Sequence, residues 1–370
     1  MSSRIVHELS TFSNRHLPSF AHHRHTSLRL AHSSSIANMA QTVTTTRIAS
    51  RVPLTSRMST TLDEDAQVVR KSVGLRRVDA TFMNGLSTLN GEGATIGRGF
   101  PIEGIPTFVD PYKARQWALE HMAGAFRVMA RKGYLEGTAG HISVRDPVDP
   151  DTFWINPVAR HFAMMRVSDL VQVNMNGEVI GGNKVRGLID LWKCLANSAQ
   201  ACINNAGFTI HSALHAARPD VNAACHFHSI HGKAWSCFNR PLEMLNQDAC
   251  TFYNDHAVYD TFGGIAFEGE EGRRIAGALG DKRCAILKNH GLLTTGSTVD
   301  EAAFLFTLME NTCRAQLLAE AASASGIRKH ICPHEEAEYT YRLTTPESMW
   351  LEFQPDYEYE LQESGGSLLN

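Results

Sequence analysis

The chain has 370 residues, 35 Lys and Arg against 38 Asp and Glu for a formal net charge of −3, and 43% hydrophobic residues. This length supplies one large or two ordinary domains with ample chain to bury a core, and the near-neutral balance argues against a nucleic-acid surface. No apolar run approaches the roughly 20 residues that span a bilayer, so no membrane span is expected.

Residues 1–62 hold a single acidic residue, Glu8, against Arg4, Arg15, Arg24, Arg29, Arg47, Arg51 and Arg57. An Arg- and Ser-rich, acid-poor start reads either as a mitochondrial transit peptide or as a tail with no addressing role. Start sites at Met39 or Met58 are the further alternative. Residues 63–105 lack apolar periodicity and continue as linker, which makes 1–105 an N-terminal extension.

The folded part is expected to begin near Thr107. Asp110-Pro111 is an N-cap followed by a first-turn proline. A helix then carries Trp117, Met122, Ala125 and Met129 toward one face and stops at Gly133. Strands follow at His141–Arg145, Phe153–Asn156 and Leu170–Asn174, and Asn176-Gly177 signals a hairpin. Residues 185–202 interrupt a smooth passage from Asn183-Lys184 to Ile203-Asn204. They read as an insertion, either a lineage-specific loop or an unremoved intron, with Leu188–Ala199 able to form an extra helix.

A helix over Ala206–Ala217 ends at Arg218-Pro219, and Val221–His228 reads as a buried strand. Within it His226 and His228 are two residues apart, so the strand pleat points both to one face. A later strand near Ala285–Leu287 leads to a turn at His290, whose imidazole can complete a facial triad. Three neutral imidazoles with an open fourth position form a catalytic zinc-type site. With 18 histidines in the chain, a His-x-His pair can also arise by chance, and spacing alone leaves both readings open. The longest helix starts at Thr298-x-x-Glu301 and carries Leu305, Met309, Cys313 and Leu317 at helical spacing. Residues 331–370 read as a C-terminal tail.

The eight cysteines, Cys194, Cys202, Cys225, Cys237, Cys250, Cys284, Cys313 and Cys332, form no Cys-x-x-Cys pair. They read as reduced thiols of an intracellular, cytoplasmic protein, with the mitochondrion as the alternative location. Histidine is left as the credible metal ligand. Hairpins mixed with amphipathic helices predict an α/β fold with a sheet of antiparallel character covered by helices.

Several of these stretches together resemble the class II aldolase/adducin family. They are His211-Ser-Ala-Leu-His-Ala-Ala-Arg-Pro-Asp220, running into Val-Asn-Ala-Ala-Cys-His-Phe-His228, and Asn289-His290-Gly291. Gly140-His-Ile-Ser143 and Phe153-Trp-Ile-Asn-Pro157 resemble its fungal adducin-like members. The resemblance spans roughly residues 107–330, within a domain taken as 106–330. It implies a three-layer α/β/α domain, a divalent metal (zinc foremost) on His226, His228 and His290, and a homo-oligomer, usually a tetramer with active sites at subunit contacts.

One departure stands out. Sugar-phosphate aldolases of the family carry a glutamate whose position falls near Gly207 here, and no Asp or Glu lies between Asn204 and Ala217. Proton abstraction beside a carbonyl needs a base within reach. The family's phosphate-binding Gly-Asn-x-Ser appears as Gly140-His-Ile-Ser143. His141 there either donates to an anion, supplies the missing acid/base, or sits in a turn satisfied by backbone. Tyr253, Asp255 and His256 are candidate proton donors, or exposed loop residues. His211 and His215, one turn apart, either support the site or simply pack. His231 is expected to face away on a continued strand.

The function expected from the resemblance is a metal-dependent carbon–carbon lyase, aldol-type or decarboxylating, on a small oxygenated substrate. The alternative is a catalytically silent adducin-like protein with an actin-binding, cytoskeletal or scaffolding role. The acidic Gln354–Glu363 end differs from adducin's lysine-rich tail, and retention of three histidines favours chemistry.

Overall fold

The computed structural model describes residues 104–158, 160–183, 203–264 and 269–370. All but the last two residues of the N-terminal extension, and the 185–202 insertion, lie outside the described residues. Asp110 accepts a hydrogen bond from the Tyr112 N–H at 2.9 Å, and Pro111 opens helix α1, Pro111–Arg131. Gly133 then takes φ +82°, a conformation that L side chains rarely adopt, and turns the chain out of the helix.

Strands β1 (His141–Arg145), β2 (Thr152–Ile155), β3 (Val171–Asn174) and β4 (Val179–Gly182) form an antiparallel meander. Helix α2 (Asn205–Ala217) returns the chain to β5 (Ala223–Phe227), which pairs antiparallel with β1. Short helices α3 (Ile230–Ser236) and α4 (Gln247–Cys250) follow, then β6 (His256–Tyr259), α5 (Gly269–Leu279), β7 (Cys284–Leu287) and β8 (Gly291–Gly296). Among the described residues the strand order is β4-β3-β2-β1-β5-β8-β7-β6, and only the β6–β7 pair is parallel.

Alternation along the strands sends side chains to two helical layers. Ile142, Val144, Cys225, Phe227, Ile286 and Leu292 pack with Met122, Phe126 and Met129 of α1 and with Leu305, Phe306 and Met309 of α6, Val299–Ser323. On the opposite face Ala224, Ala285, Leu287 and Leu293 meet Ile210 and Leu214 of α2 and Ile275 and Leu279 of α5. The architecture is the expected three-layer α/β/α with a largely antiparallel sheet. At the start of α6, Thr298 accepts from the Glu301 N–H at 3.2 Å. The Glu301 carboxylate completes only half of the expected capping box, because it accepts from the Ser297 N–H and hydroxyl at 2.7 and 2.9 Å.

Residues 331–370 differ from the tail expected of them. They form helices α7 (His334–Arg342) and α8 (Pro346–Glu363), and Met349, Phe353 and Tyr357 of α8 enter the main core. Asp356 and Glu360 pair with Arg131 of α1. The apolar stripe Met349, Phe353 and Tyr357 at helical spacing makes this segment core and not tail. Among the described residues, no helix is long and apolar enough to cross a membrane.

Candidate metal centre

The pleat and the register of the sheet build the site. In the antiparallel β1–β5 pair His141 lies directly opposite His226, so both side chains share a face. Their rings stack with centroids 4.8 Å apart at 28°. His228 follows β5 by one residue. His290 comes from the three-residue connection between β7 and β8, which is closed by the Leu287–Gly291 pairing. Asn289 in this connection takes φ +55°, a left-handed conformation that Asn tolerates better than most residues.

His226, His228 and His290 each offer a ring nitrogen, and these atoms lie within 4.8 Å of one another. The His226 Nδ1–H donates to the Leu292 carbonyl at 2.8 Å. That bond fixes the tautomer and leaves Nε2 as a lone pair, and this buried atom has no hydrogen-bond partner among the described residues. Buried polar atoms in folded proteins are normally satisfied. An unpartnered imidazole nitrogen beside two others, its own N–H anchored on a carbonyl, suits a divalent cation that prefers nitrogen ligands.

Electrostatics agree with that use. Burial, reinforced by the His290, His141 and His228 rings, holds His226 well below the usual histidine range. Burial lowers His228, and burial followed by His228 brings His290 down to about 4. All three are therefore neutral imidazoles near pH 7. His141 is likewise held low, first by burial and then by His211.

A cavity of about 450 Å³ opens onto the cluster, lined by Glu136, His141, His228, Lys233, Asn289 and His290 among others. Lys233 pairs with Glu136 at this site. A larger hollow of about 620 Å³ beside Trp117, Arg145 and Asp146 is lined by no histidine, so the histidine-lined cavity is the candidate. The β5–α3 junction that carries His228 is anchored from α6. Buried Glu310 accepts from the Ser229 hydroxyl at 2.5 Å, the Gly232 N–H at 2.6 Å and the His231 N–H at 2.9 Å.

Residues 120–317 match the class II aldolase and adducin N-terminal domain family. The chain is 44% identical over 267 residues to the meiotically up-regulated gene 14 protein of Schizosaccharomyces pombe, covering 72% of this chain and 98% of that one. The chain belongs to the class II aldolase and adducin family. It is also 38% identical to the decarboxylase NovR of Streptomyces niveus, over 69% of this chain and 88% of that protein. Among solved structures it resembles L-fuculose 1-phosphate aldolase from Glaciozyma antarctica PI12. The TM-score is 0.61 at 37% identity, over 71% of this chain and 96% of that one.

Against this family background, the position near Gly207 acquires a structural reason. A Cβ there would stand 2.6 Å from Cδ2 and 2.8 Å from Cγ of His141. The imidazole of His141 therefore fills the room that a side chain on this turn of α2 would need. Glu136 is the only carboxylate among the described residues lining the cavity. His141 itself opens β1 and does not sit in a turn. Its Nδ1 meets His211 Nε2 at 2.6 Å, and no backbone group among the described residues bonds its ring.

Other expected residues are placed elsewhere. Tyr253 is not among the cavity's lining residues, and its hydroxyl bonds His334 Nδ1 on α7. Asp255 is buried and pairs with Arg283. His256 Nδ1 donates to the Phe252 carbonyl at 2.7 Å, and its Nε2 accepts from the Leu242 N–H at 2.9 Å. The strand expected to continue past His228 stops at Phe227, because α3 begins at Ile230. His231 thus sits on a helix, with Nδ1 2.8 Å from Glu310. Sequence reasoning missed Glu310, Lys233 and Glu136. Glu310 lies 79 residues beyond His231 and Lys233 lies 97 beyond Glu136, so no local pattern could have announced either contact.

Proposed function

We propose that this protein is a divalent-metal-dependent carbon–carbon lyase that performs aldol-type cleavage or decarboxylation on a small oxygenated substrate. The observation that carries this reading is the unpartnered Nε2 of buried His226, grouped with nitrogens of His228 and His290. His226, His228 and His290 would hold the cation, with zinc the best match to an all-imidazole set. Bound there, the ion would supply Lewis acidity toward a substrate carbonyl or carboxylate oxygen as the carbon–carbon bond breaks.

The chain's own residues supply the rest. Lys233 and Glu136 set the charge at the cavity, where the ammonium suits an anionic substrate group once it exchanges partners. His141 stacks on His226 and lines the same cavity, so proton transfer beside the cluster falls to it. Decarboxylation releases CO₂ without prior proton abstraction and then needs one proton delivered to carbon. That demand fits a site with no carboxylate near Gly207. The similarity to a protein named a decarboxylase and to one named an aldolase supports the same pair of reactions. Subunit assembly of the family type, commonly a tetramer, belongs to this reading.

Elemental analysis of the full-length protein purified without chelator, beside a His226→Ala variant, tests the proposal. One divalent ion per chain, lost in the variant, is the expected result. Metal-free wild-type protein would overturn it in favour of a silent adducin-like scaffold.

A further inference from the structure

His141 is held by a line of buried side chains that runs away from the cavity. His141 Nδ1 meets His211 Nε2 at 2.6 Å, and His211 Nδ1 meets the Ser143 hydroxyl. The same hydroxyl meets His215 Nε2 at 2.7 Å, and His215 Nδ1 lies 3.3 Å from the Val221 carbonyl oxygen. His141, Ser143, His211 and His215 are all 3% exposed or less, so water does not compete for these bonds.

The last contact gives the line a direction. A backbone carbonyl can only accept, so His215 Nδ1 carries hydrogen and its Nε2 is a lone pair. The Ser143 hydroxyl must then donate to His215, which leaves the Ser143 oxygen to accept from His211 Nδ1–H. His211 Nε2 is in turn a lone pair, and it accepts from His141 Nδ1–H. The opposite direction would set a His215 lone pair against the carbonyl and leave both buried atoms unsatisfied, at a cost of order 1–3 kcal/mol. Burial also keeps His211 and His215 at about 3, so neither is doubly protonated at neutral pH.

We propose that His211, Ser143 and His215 are positioning residues that lock His141 in its Nδ1–H form and keep its Nε2 free as a proton acceptor at the three-histidine cavity. This rests on the lyase reading for its purpose, although the tether itself stands without any metal. The remaining constraint comes from Gly207. A Cβ there would lie 3.2 Å from His141 Nε2 and closer still to two ring carbons, so the bare glycine gives the ring its place. In aldol cleavage, Nε2 takes the proton of the substrate hydroxyl as the carbon–carbon bond breaks, and the same nitrogen returns it to the carbanion carbon. In decarboxylation the substrate carboxylate has no proton to give, so Nε2 first takes one from water at the cavity and delivers it to carbon once CO₂ has left.

Neutron diffraction from crystals of the full-length protein, exchanged into heavy water and freed of metal, reads the tautomer directly. The expected map has deuterium on His141 Nδ1 and none on Nε2, with deuterium on His215 Nδ1 facing Val221. In Ser143→Ala, His211 loses the partner that sets its direction, and deuterium should appear on His141 Nε2 in a substantial share of molecules. His211→Leu serves the same purpose should the first variant fail to fold. Deuterium on Nε2 in the wild type, or an unaltered Nδ1–H form in the folded variants, overturns the proposal. Zinc stoichiometry measured on the same proteins as purified without chelator, before metal is stripped for crystallisation, separates the two claims. A metal-free wild type at that stage defeats the lyase reading alone, whereas unchanged zinc in the variants with a shifted tautomer is the outcome expected if both hold.

Discussion

Glu310→Ala removes the anchor of the junction between β5 and α3. The Glu310 side chain is 4% exposed and collects hydrogen bonds from Ser229, His231 and Gly232 at 2.5–2.9 Å. Ser229 and Gly232 are buried, so their donors would lose their partner with little access to water. Each such orphan costs about 1–3 kcal/mol, which places the pair at about 2–6 kcal/mol. Relief of the carboxylate's own burial offsets part of this, and the half-buried His231 N–H finds solvent. The net loss should be about 2–4 kcal/mol, at the upper end of ordinary single-residue effects. Urea unfolding at fixed protein concentration, with EDTA present throughout, isolates this from metal binding and subunit assembly. Glu310→Gln keeps the shape and one acceptor oxygen, and should lose about half as much. An alanine variant within about 1 kcal/mol of wild type would refute the anchoring argument.

Gly207→Ala gains helix propensity but drives a methyl into the His141 ring at 2.6 Å. A net loss of about 1–2 kcal/mol is expected from overpacking, and a thermal midpoint at or above wild type would contradict the steric account. His211 and His215, held at about 3 mainly by burial, stay neutral in the fold while the unfolded chain takes up protons below about pH 6.5. The stability they permit above that value is therefore lost as pH falls. From pH 6.5 to 5 the two together withdraw about 3 kcal/mol. A His211→Gln/His215→Gln double variant should show a correspondingly shallower pH dependence of unfolding, and an unchanged slope would count against it. Asp255→Asn leaves the Arg283 guanidinium with Glu301 at 3.5 Å as its remaining carboxylate and should cost about 3 kcal/mol in chemical denaturation. Glu136→Gln breaks a largely exposed pair with Lys233. Stability should move by less than about 1 kcal/mol, so a large change there would show that the pair is structural.

Local chemistry made much of this protein legible before folding. Asp110-Pro111 announced α1 and Asn176-Gly177 the β3–β4 turn. The two-residue spacing of His226 and His228 placed both on one face, because the pleat repeats every second residue whatever the rest of the chain does. The family motifs likewise survive as contiguous strings. What the string could not show is which strands become neighbours. His141 stands opposite His226 only because β1 and β5 pair in one register across 85 positions. The α8 stripe became core only when α1 and α6 offered a surface to cover. The direction of the His141–His211–Ser143–His215 line depends on a single carbonyl, that of Val221. Imidazoles are chemically identical in sequence and acquire distinct roles from the one partner each finds in space. That choice is made by tertiary packing, where an unpaired buried nitrogen costs more than any local preference can repay.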